Sequence, residues 1–269
     1  MERNALSPEE KRRLQTEELA ILDELDRICS LHGLRYYLTA GTLLGAVRHG
    51  GFIPWDDDID VAMPRDDYER LAELSKTELS DGFFYQSEKT EKNYPFFFAK
   101  IRKDGTEVNE PILEGVELHR GCYLDIFPLD KCPKSRFGAR LFFKSVELFS
   151  CAIMSKISRE FVCEYKKPLV KFGFNLVRLL PLSVLRALRR FTRAFYAIFS
   201  SGEVLCTVSG SHGYPRESYK AEWFDKSLPL SFEGKEYPAP SEWDKLLESM
   251  YGDYMTPPDE DSREGHFKS

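Results

Sequence analysis

Four carboxylates fall within five residues in Trp55-Asp56-Asp57-Asp58-Ile59-Asp60-Val61, and no other stretch constrains this chain as strongly. Like charges this close repel, so the run costs stability unless cations neutralise it. A solvated acidic loop is the simplest alternative. It sits poorly with the apolar Ile53-Pro54-Trp55 before the run and Val61-Ala62-Met63 after it, where aspartates need partners. The alternation from Asp58 to Met63 suits a strand, on which Asp58 and Asp60 project to one side. That pair can hold a hard divalent cation through oxygen ligands and leave positions open for substrate phosphates. Asp56 joins the same face if the strand begins early, whereas Asp57 points away. An EF-hand is excluded, because its sixth loop position needs glycine and Val61 stands there.

The surroundings read as a sheet with helices. Ser7, Pro8 and Glu10 form a helix start with a capping box, Leu14, Ile21, Leu22, Leu25 and Ile28 share one face, and Gly33 is the stop. A strand over 34–38 leads into small residues and a short helical pattern. A helix over 66–79 follows the acidic strand, and further strands are expected over 83–86, 96–103 and 123–127. This order predicts an α+β fold, a mixed sheet flanked by helices. After about residue 201 the chain reads as loop-rich, closing with a short helix over 243–250.

Two more features carry chemistry. Gly41-Thr42 lies between a strand and a helix, sixteen residues before Asp58, where backbone N–H groups and the Thr42 hydroxyl could hold a phosphate or simply cap a helix. Asp125 sits between Leu124 and Ile126 in a strand, an unusual position for a solvated aspartate. It reads as a third metal ligand or a general base, with structural hydrogen bonding as the alternative.

The stretch from Tyr37 to Val61, with Thr39-Ala40-Gly41-Thr42-Leu43-Leu44-Gly45-Ala46-Val47-Arg48-His49-Gly50-Gly51 at its centre, resembles the signature of the LicD family, whose animal relatives include fukutin and fukutin-related protein. Lys100-Ile101-Arg102, Leu124-Asp125-Ile126-Phe127-Pro128-Leu129-Asp130 and Tyr251-Gly252-Asp253-Tyr254-Met255 extend the resemblance to about residue 258. It implies a single domain over 1–269 with a nucleotidyltransferase-like core, and a reaction that moves phosphocholine from CDP-choline to a hydroxyl of a glycan. The acceptor would be a teichoic acid, lipopolysaccharide or capsule, or a lipid-linked precursor. It further implies that Gly41 and Thr42 contact donor phosphate, that Asp58 and Asp60 bind Mg²⁺ (with Mn²⁺ as the alternative), and that Asp125 is the third carboxylate. Lys100 and Arg102 alternate onto one strand face and could clamp phosphate oxygens or remain exposed, while Arg48 and His49 follow the Gly-Thr helix toward the cleft. The metal-binding cysteine cluster of fukutin-related protein has no counterpart, so no structural zinc is implied. Ribitol phosphate or glycerol phosphate from a CDP-polyol is the alternative cargo. A non-catalytic membrane-associated scaffold is the alternative of another class, and the intact carboxylates weigh against it.

Charge separates the remaining segment from everything else. The whole chain carries −6, yet residues 134–193 hold 14 Lys and Arg against 3 acidic residues. That segment reads as a basic helical insertion over about 134–200, broken near Gly173 and at Pro181. In its last helix Leu185, Leu188, Phe191 and Phe195 share one face while Arg186, Arg189, Arg190 and Arg193 gather on another. The arginines either simply face solvent or form a cationic surface that docks on an anionic membrane, and the coexistence of aromatic and basic residues favours the second. The acidic total argues against nucleic acid as a partner. The six cysteines include no C-x-x-C pair, and no apolar run is long enough to span a membrane, which together suggest a cytoplasmic protein resting on the inner face of the cell membrane.

Overall fold

The computed structural model describes residues 7–161 and 168–259. Helix α1 (Pro8–His32) starts as its sequence demands. Glu10 N donates to Ser7 Oγ at 3.2 Å, Ser7 N donates to the Glu10 carboxylate at 2.9 Å, and Gly33 closes the helix at φ 63°. Strand β1 is only Tyr37–Leu38, and α2 (Ala40–His49) follows at once. Strand β2 (Asp60–Pro64) leads into α3 (Arg65–Glu78), and then come β3 (Phe83–Gln86), β4 (Ala99–Lys103) and β5 (Tyr123–Lys131). Three helices leave the sheet after β5: α4 (Arg136–Ile157), α5 (Pro168–Arg178) and α6 (Leu182–Ile198). The chain returns as β6 (Val204–Cys206), β7 (Ser218–Lys220), a hairpin of β8 (Ser227–Phe232) with β9 (Lys235–Pro240), and α7 (Trp243–Tyr251).

The main sheet runs β1-β2-β5-β4-β3, with β2 and β5 parallel and the other neighbours antiparallel. It is therefore the mixed sheet with helices that the pattern predicts. Strand β5 is long enough to serve two partners, because Asp130 and Lys131 at its far end pair with β6. Alternation turns Val61, Met63, Ile101, Leu124 and Ile126 into one core with Ile21, Leu22, Leu25 and Ile28 of α1, all fully buried. Burying a side chain of that size stabilises by roughly 1.5–3 kcal/mol, so this layer fixes which way the sheet faces.

Three expectations change. The acidic strand begins at Asp60 rather than Asp58, because β1 offers only two residues, against Val61 and Ala62, and the register with β5 starts at Asp60 opposite Asp125. Gly173 does not break the insertion, since α5 passes through it; Pro181 does mark a break, standing just before α6. The region after residue 201 is not merely loop. It holds four strands, and the β8–β9 hairpin turns through Glu233 and Gly234, both at positive φ (52° and 81°). Among the described residues no helix is long and apolar enough to cross a membrane.

Candidate active site

With the apolar side chains of β2, β4 and β5 committed to α1, the alternate residues must face the other way. Asp60, Asp125 and Lys100 are register partners on those three adjacent strands, so they form a row across the sheet. The row lines a cleft of about 980 Å³. Asp56 and Asp58 reach the cleft from the loop before β2, while Asp57 turns away and is buried. Asp253, close to the described C-terminal end, joins the wall, as does Glu110 from the connection between β4 and β5. Six carboxylates and two cations, Arg48 and Lys100, thus line the cleft among the described residues. That surplus of negative charge in a partly desolvated space favours a cationic ligand.

Electrostatics within the row follow from the contacts. The Lys100 ammonium lies 2.7 Å from Asp125 Oδ1, 3.6 Å from Glu110 and 3.2 Å from the centroid of the Tyr123 ring. Burial pushes the Asp60 carboxyl well above the ordinary carboxylate range, and the charges of Asp58, Asp125 and Asp56 push it further against the pull of Lys100. Burial also raises Asp125, to about 6, although Lys100 opposes the shift through its charge and its hydrogen bond. For Glu110 burial is outweighed by Lys100 and Arg102, which hold its carboxyl below the usual value. Asp125 is thereby tuned close to neutral pH, where a general base works best.

The start of α2 forms the opposite lip. Thr39, at the N-cap, makes no side-chain cap bond, and Ala40 has φ 46°, a left-handed value uncommon for a residue with a side chain. Ala40 and Gly41 line the cleft. A Cβ at Gly41 would run into the Asp56 carboxylate, so glycine is what lets the acidic loop close on the helix.

The other candidates fall differently. Thr42 is buried and its Oγ1 accepts a hydrogen bond from Asp60 N at 2.8 Å, so its hydroxyl positions the acidic strand instead of facing phosphate. Arg102 shares the face of Lys100 but is fully buried. Its guanidinium is taken up by Gln86, by Gly121 O at 2.8 Å and by Glu110, and it does not line the cleft. Arg48 does line it, with Nη1 donating to Tyr254 O at 2.8 Å and the guanidinium 5.8 Å from the Trp55 ring centroid. His49 lies outside the cleft lining, exposed, with its ring edge-on to Trp55. Among the aromatics, Trp55, Phe96, Phe98, Tyr123, Tyr251 and Tyr254 reach the cleft, whereas Tyr94 is buried and Trp223 and Trp243 pack elsewhere on the core.

Sequence reasoning missed Glu110 and His212. Glu110 sits in an irregular connection with no motif around it, although its contacts with two strand cations make it the partner that keeps Lys100 in place. His212 lines the cleft from the β6–β7 connection, 3.8 Å from Glu217 and edge-on to Tyr251.

Oxygen donors dominate the wall, which suits a hard divalent cation. Yet among the described residues no three Asp, Glu, His or Cys side chains form a ready cage. Mg²⁺ sites are usually of this kind, with one or two carboxylates and the rest supplied by water and substrate phosphates. The acidic pair Asp58 and Asp60 fits such a role, whereas Asp125 is already held by Lys100.

Residues 33–179 match the family model described as LicD/FKTN/FKRP, nucleotidyltransferase domain. The chain is similar to the lipopolysaccharide cholinephosphotransferase LicD of Haemophilus influenzae, with 28% identity over 267 residues that cover 93% of each protein. It is also similar to the ribitol 5-phosphate transferase FKRP of Homo sapiens and of Mus musculus. That likeness is 46% identity over 46 residues, covering 17% of this chain and 9% of each relative.

Proposed function

The chain belongs to the LicD family, and on that premise we propose that it is a phosphotransferase that moves phosphocholine from CDP-choline to a hydroxyl of a cell-surface glycan or its lipid-linked precursor. One observation carries the reading. The Asp60–Asp125–Lys100 row faces a roomy cleft with aromatic walls, beside the start of α2. That start offers backbone N–H groups at Ala40 and Gly41 to a phosphate, with no Thr39 side-chain cap to compete. Asp58 and Asp60 would hold Mg²⁺ or Mn²⁺, which when bound offsets negative charge on the donor's pyrophosphate.

The chain's own residues account for the rest. The acceptor oxygen attacks the phosphorus that bears choline, the bond from that phosphorus to the bridging oxygen breaks, and CMP leaves. Asp125 takes the proton of the attacking hydroxyl, being raised toward neutrality by burial and oriented by Lys100 at 2.7 Å. Lys100 is held in place between Asp125, Glu110 and the Tyr123 ring, so it faces the transferring phosphate without reorganisation. Arg102 acts one step back, fixing Glu110. The aromatic rings at the cleft suit a trimethylammonium group through cation–π attraction.

The short stretch shared with the ribitol 5-phosphate transferase keeps a CDP-polyol as the second reading for the donor. Calorimetry with CDP-choline, CDP-ribitol and CDP-glycerol, each with and without Mg²⁺, separates the two. CDP-choline is expected to bind tightest and only with the cation; a preference for either polyol would transfer the assignment to it. Folded Asp58→Asn and Asp60→Asn variants are expected to lose turnover, and full activity in either would remove the metal role. Absence of turnover with all three donors would leave a scaffold.

A further inference from the structure

Helix α6 departs from an ordinary surface helix. Three of its four arginines turn inward, while Arg190 stays half-exposed, 3.7 Å from Glu88. Arg189 is fully buried, donating to Pro95 O at 3.1 Å, Phe96 O at 3.3 Å, Ser150 Oγ at 3.2 Å and Glu88 at 3.0 Å. Arg186 donates to Lys92 O and Tyr94 O, both at 2.8 Å, and Arg193 lies 3.7 Å from Asp130 and 3.8 Å from Glu69. Most of the arginine face expected to meet a membrane, Arg186, Arg189 and Arg193, is therefore consumed by the protein. What faces outward is apolar: Phe191, Phe195 and Ile198 on α6, joined by Phe172, Leu176 and Leu179 along α5 and just past its end. Phe191 is 65% exposed, Leu179 78% and Ile198 77%.

Single exposed apolar residues are ordinary, but two successive helices that each present several, with Phe191 and Phe195 in ring contact on α6, mark a surface that something covers. The charge of the segment indicates the occupant. Arg136, Arg140 and Lys156 on α4, Lys171 and Arg178 on α5 and Arg190 on α6 are exposed, in a segment with only 3 acidic residues. A second copy of the chain would bring like charge against like charge, which opposes association. An anionic lipid surface meets both demands at once, taking the rings into the acyl boundary and the cations at the headgroups. We infer that the outer face of α5 and α6 seats the protein on a phospholipid surface containing anionic lipid, and that the inserted side chains are Phe172, Leu176, Leu179, Phe191, Phe195 and Ile198. Arg186, Arg189 and Arg193 hold the platform to the rest of the protein. This assignment does not depend on which group the enzyme transfers.

The test uses the full chain with vesicles of phosphatidylcholine alone and with added phosphatidylglycerol. The chain is expected to sediment with the mixed vesicles, more weakly at high salt, and a Phe195→Trp reporter is expected to shift to shorter wavelength on binding. A Phe191→Ser/Phe195→Ser double variant should lower the partition about tenfold or more, given the area withdrawn from the lipid. A Leu179→Ser variant, in the connection between the two helices, should lower it independently, and Lys171→Gln/Arg178→Gln should lower it less and remove part of the salt dependence. Thermal melts check that each variant is folded. Retained vesicle binding by a folded double-serine variant would overturn the assignment, as would no binding by the original chain. Self-association of the lipid-free chain that the double-serine variant abolishes would overturn it in favour of a second copy.

Discussion

The sheet and helix α6 solve the same problem in opposite senses. In the sheet, the apolar residues of β2, β4 and β5 go down to α1 and the charged row Asp60–Asp125–Lys100 goes out to the cleft. In α6 Arg186, Arg189 and Arg193 go in while Phe191, Phe195 and Ile198 come out. The difference lies in what each charge finds. The cleft carries more carboxylates than cations and so keeps a demand for a ligand, whereas the α6 arginines are met by Glu88, Glu69, Asp130 and backbone carbonyls. A charge buried with partners holds structure together, and a charge facing a cleft without enough partners is available for binding.

The comparison can be broken in steps. The largest effect is expected at the cleft. Asp125→Asn keeps the shape but removes the proton acceptor, and turnover should fall by about 10²–10⁴, the usual contribution of a general base. Assay at saturating donor, with an unchanged melting curve, checks it. Next comes the inner face of α6. Arg189→Gln leaves Glu88 beside a buried neutral amide, and breaking such a pair costs about 3–5 kcal/mol, readable by urea unfolding. If the loss is negligible, the arginines are not what fastens the helix.

A smaller change of opposite sign is expected at Glu18 on α1. Its side chain is fully buried and both carboxylate oxygens lack hydrogen-bond partners. Burial, then the nearby Asp58, Cys122, Asp57 and Asp56, raise its carboxyl well above the ordinary 4.5. The folded state thus holds the proton more tightly than the unfolded state. Its contribution is fully favourable below about 4.5 and is lost as pH rises through the folded value. Glu18→Gln removes that dependence and should stabilise the chain by about 1–2 kcal/mol at neutral pH, with the gain fading toward acid. Melting temperatures across the acid-to-neutral range test it. The smallest effect belongs to the outer face of α6, where Phe191→Ser in lipid-free solution should change stability by less than about 0.5 kcal/mol. A loss of several times that amount would mean the ring packs within the protein.

Much of the cleft was legible in the sequence because it depends on local rules. Alternation in 123–127 and the helix signals at Ser7, Glu10 and Gly33 are short-range, and the structure keeps them. What sequence could not reveal is pairing. That Asp60 stands opposite Asp125 and Asp125 opposite Lys100 is a matter of register between strands 25 and 65 residues apart, set by turns and core packing together. The same limit hid the roles of Thr42 and Arg102. Each has the right residue type for phosphate binding, but Thr42 is claimed by the Asp60 backbone and Arg102 by Glu110, partners that only the tertiary fold supplies. On α6 periodicity separates two faces and says nothing about which meets the core. The ordinary rule that apolar residues go inward holds for Leu185 and fails for Phe191 and Phe195, because it cannot anticipate Glu88 beneath Arg189.

Strand β5 belongs to both regions. Asp125 lies near its start, and Asp130, gripped by Arg65 at 2.6 and 2.8 Å and approached by Arg193 of α6, lies five residues on, about 17 Å along an extended chain. A pleated strand held by β2 over 125–129 and by β6 at 130–131 barely stretches, so this span is a rigid gauge between α6 and the cleft. On the proposed reading, with α6 seated on lipid and a glycan acceptor anchored in that same surface, the length of this one strand would set how far a hydroxyl must reach.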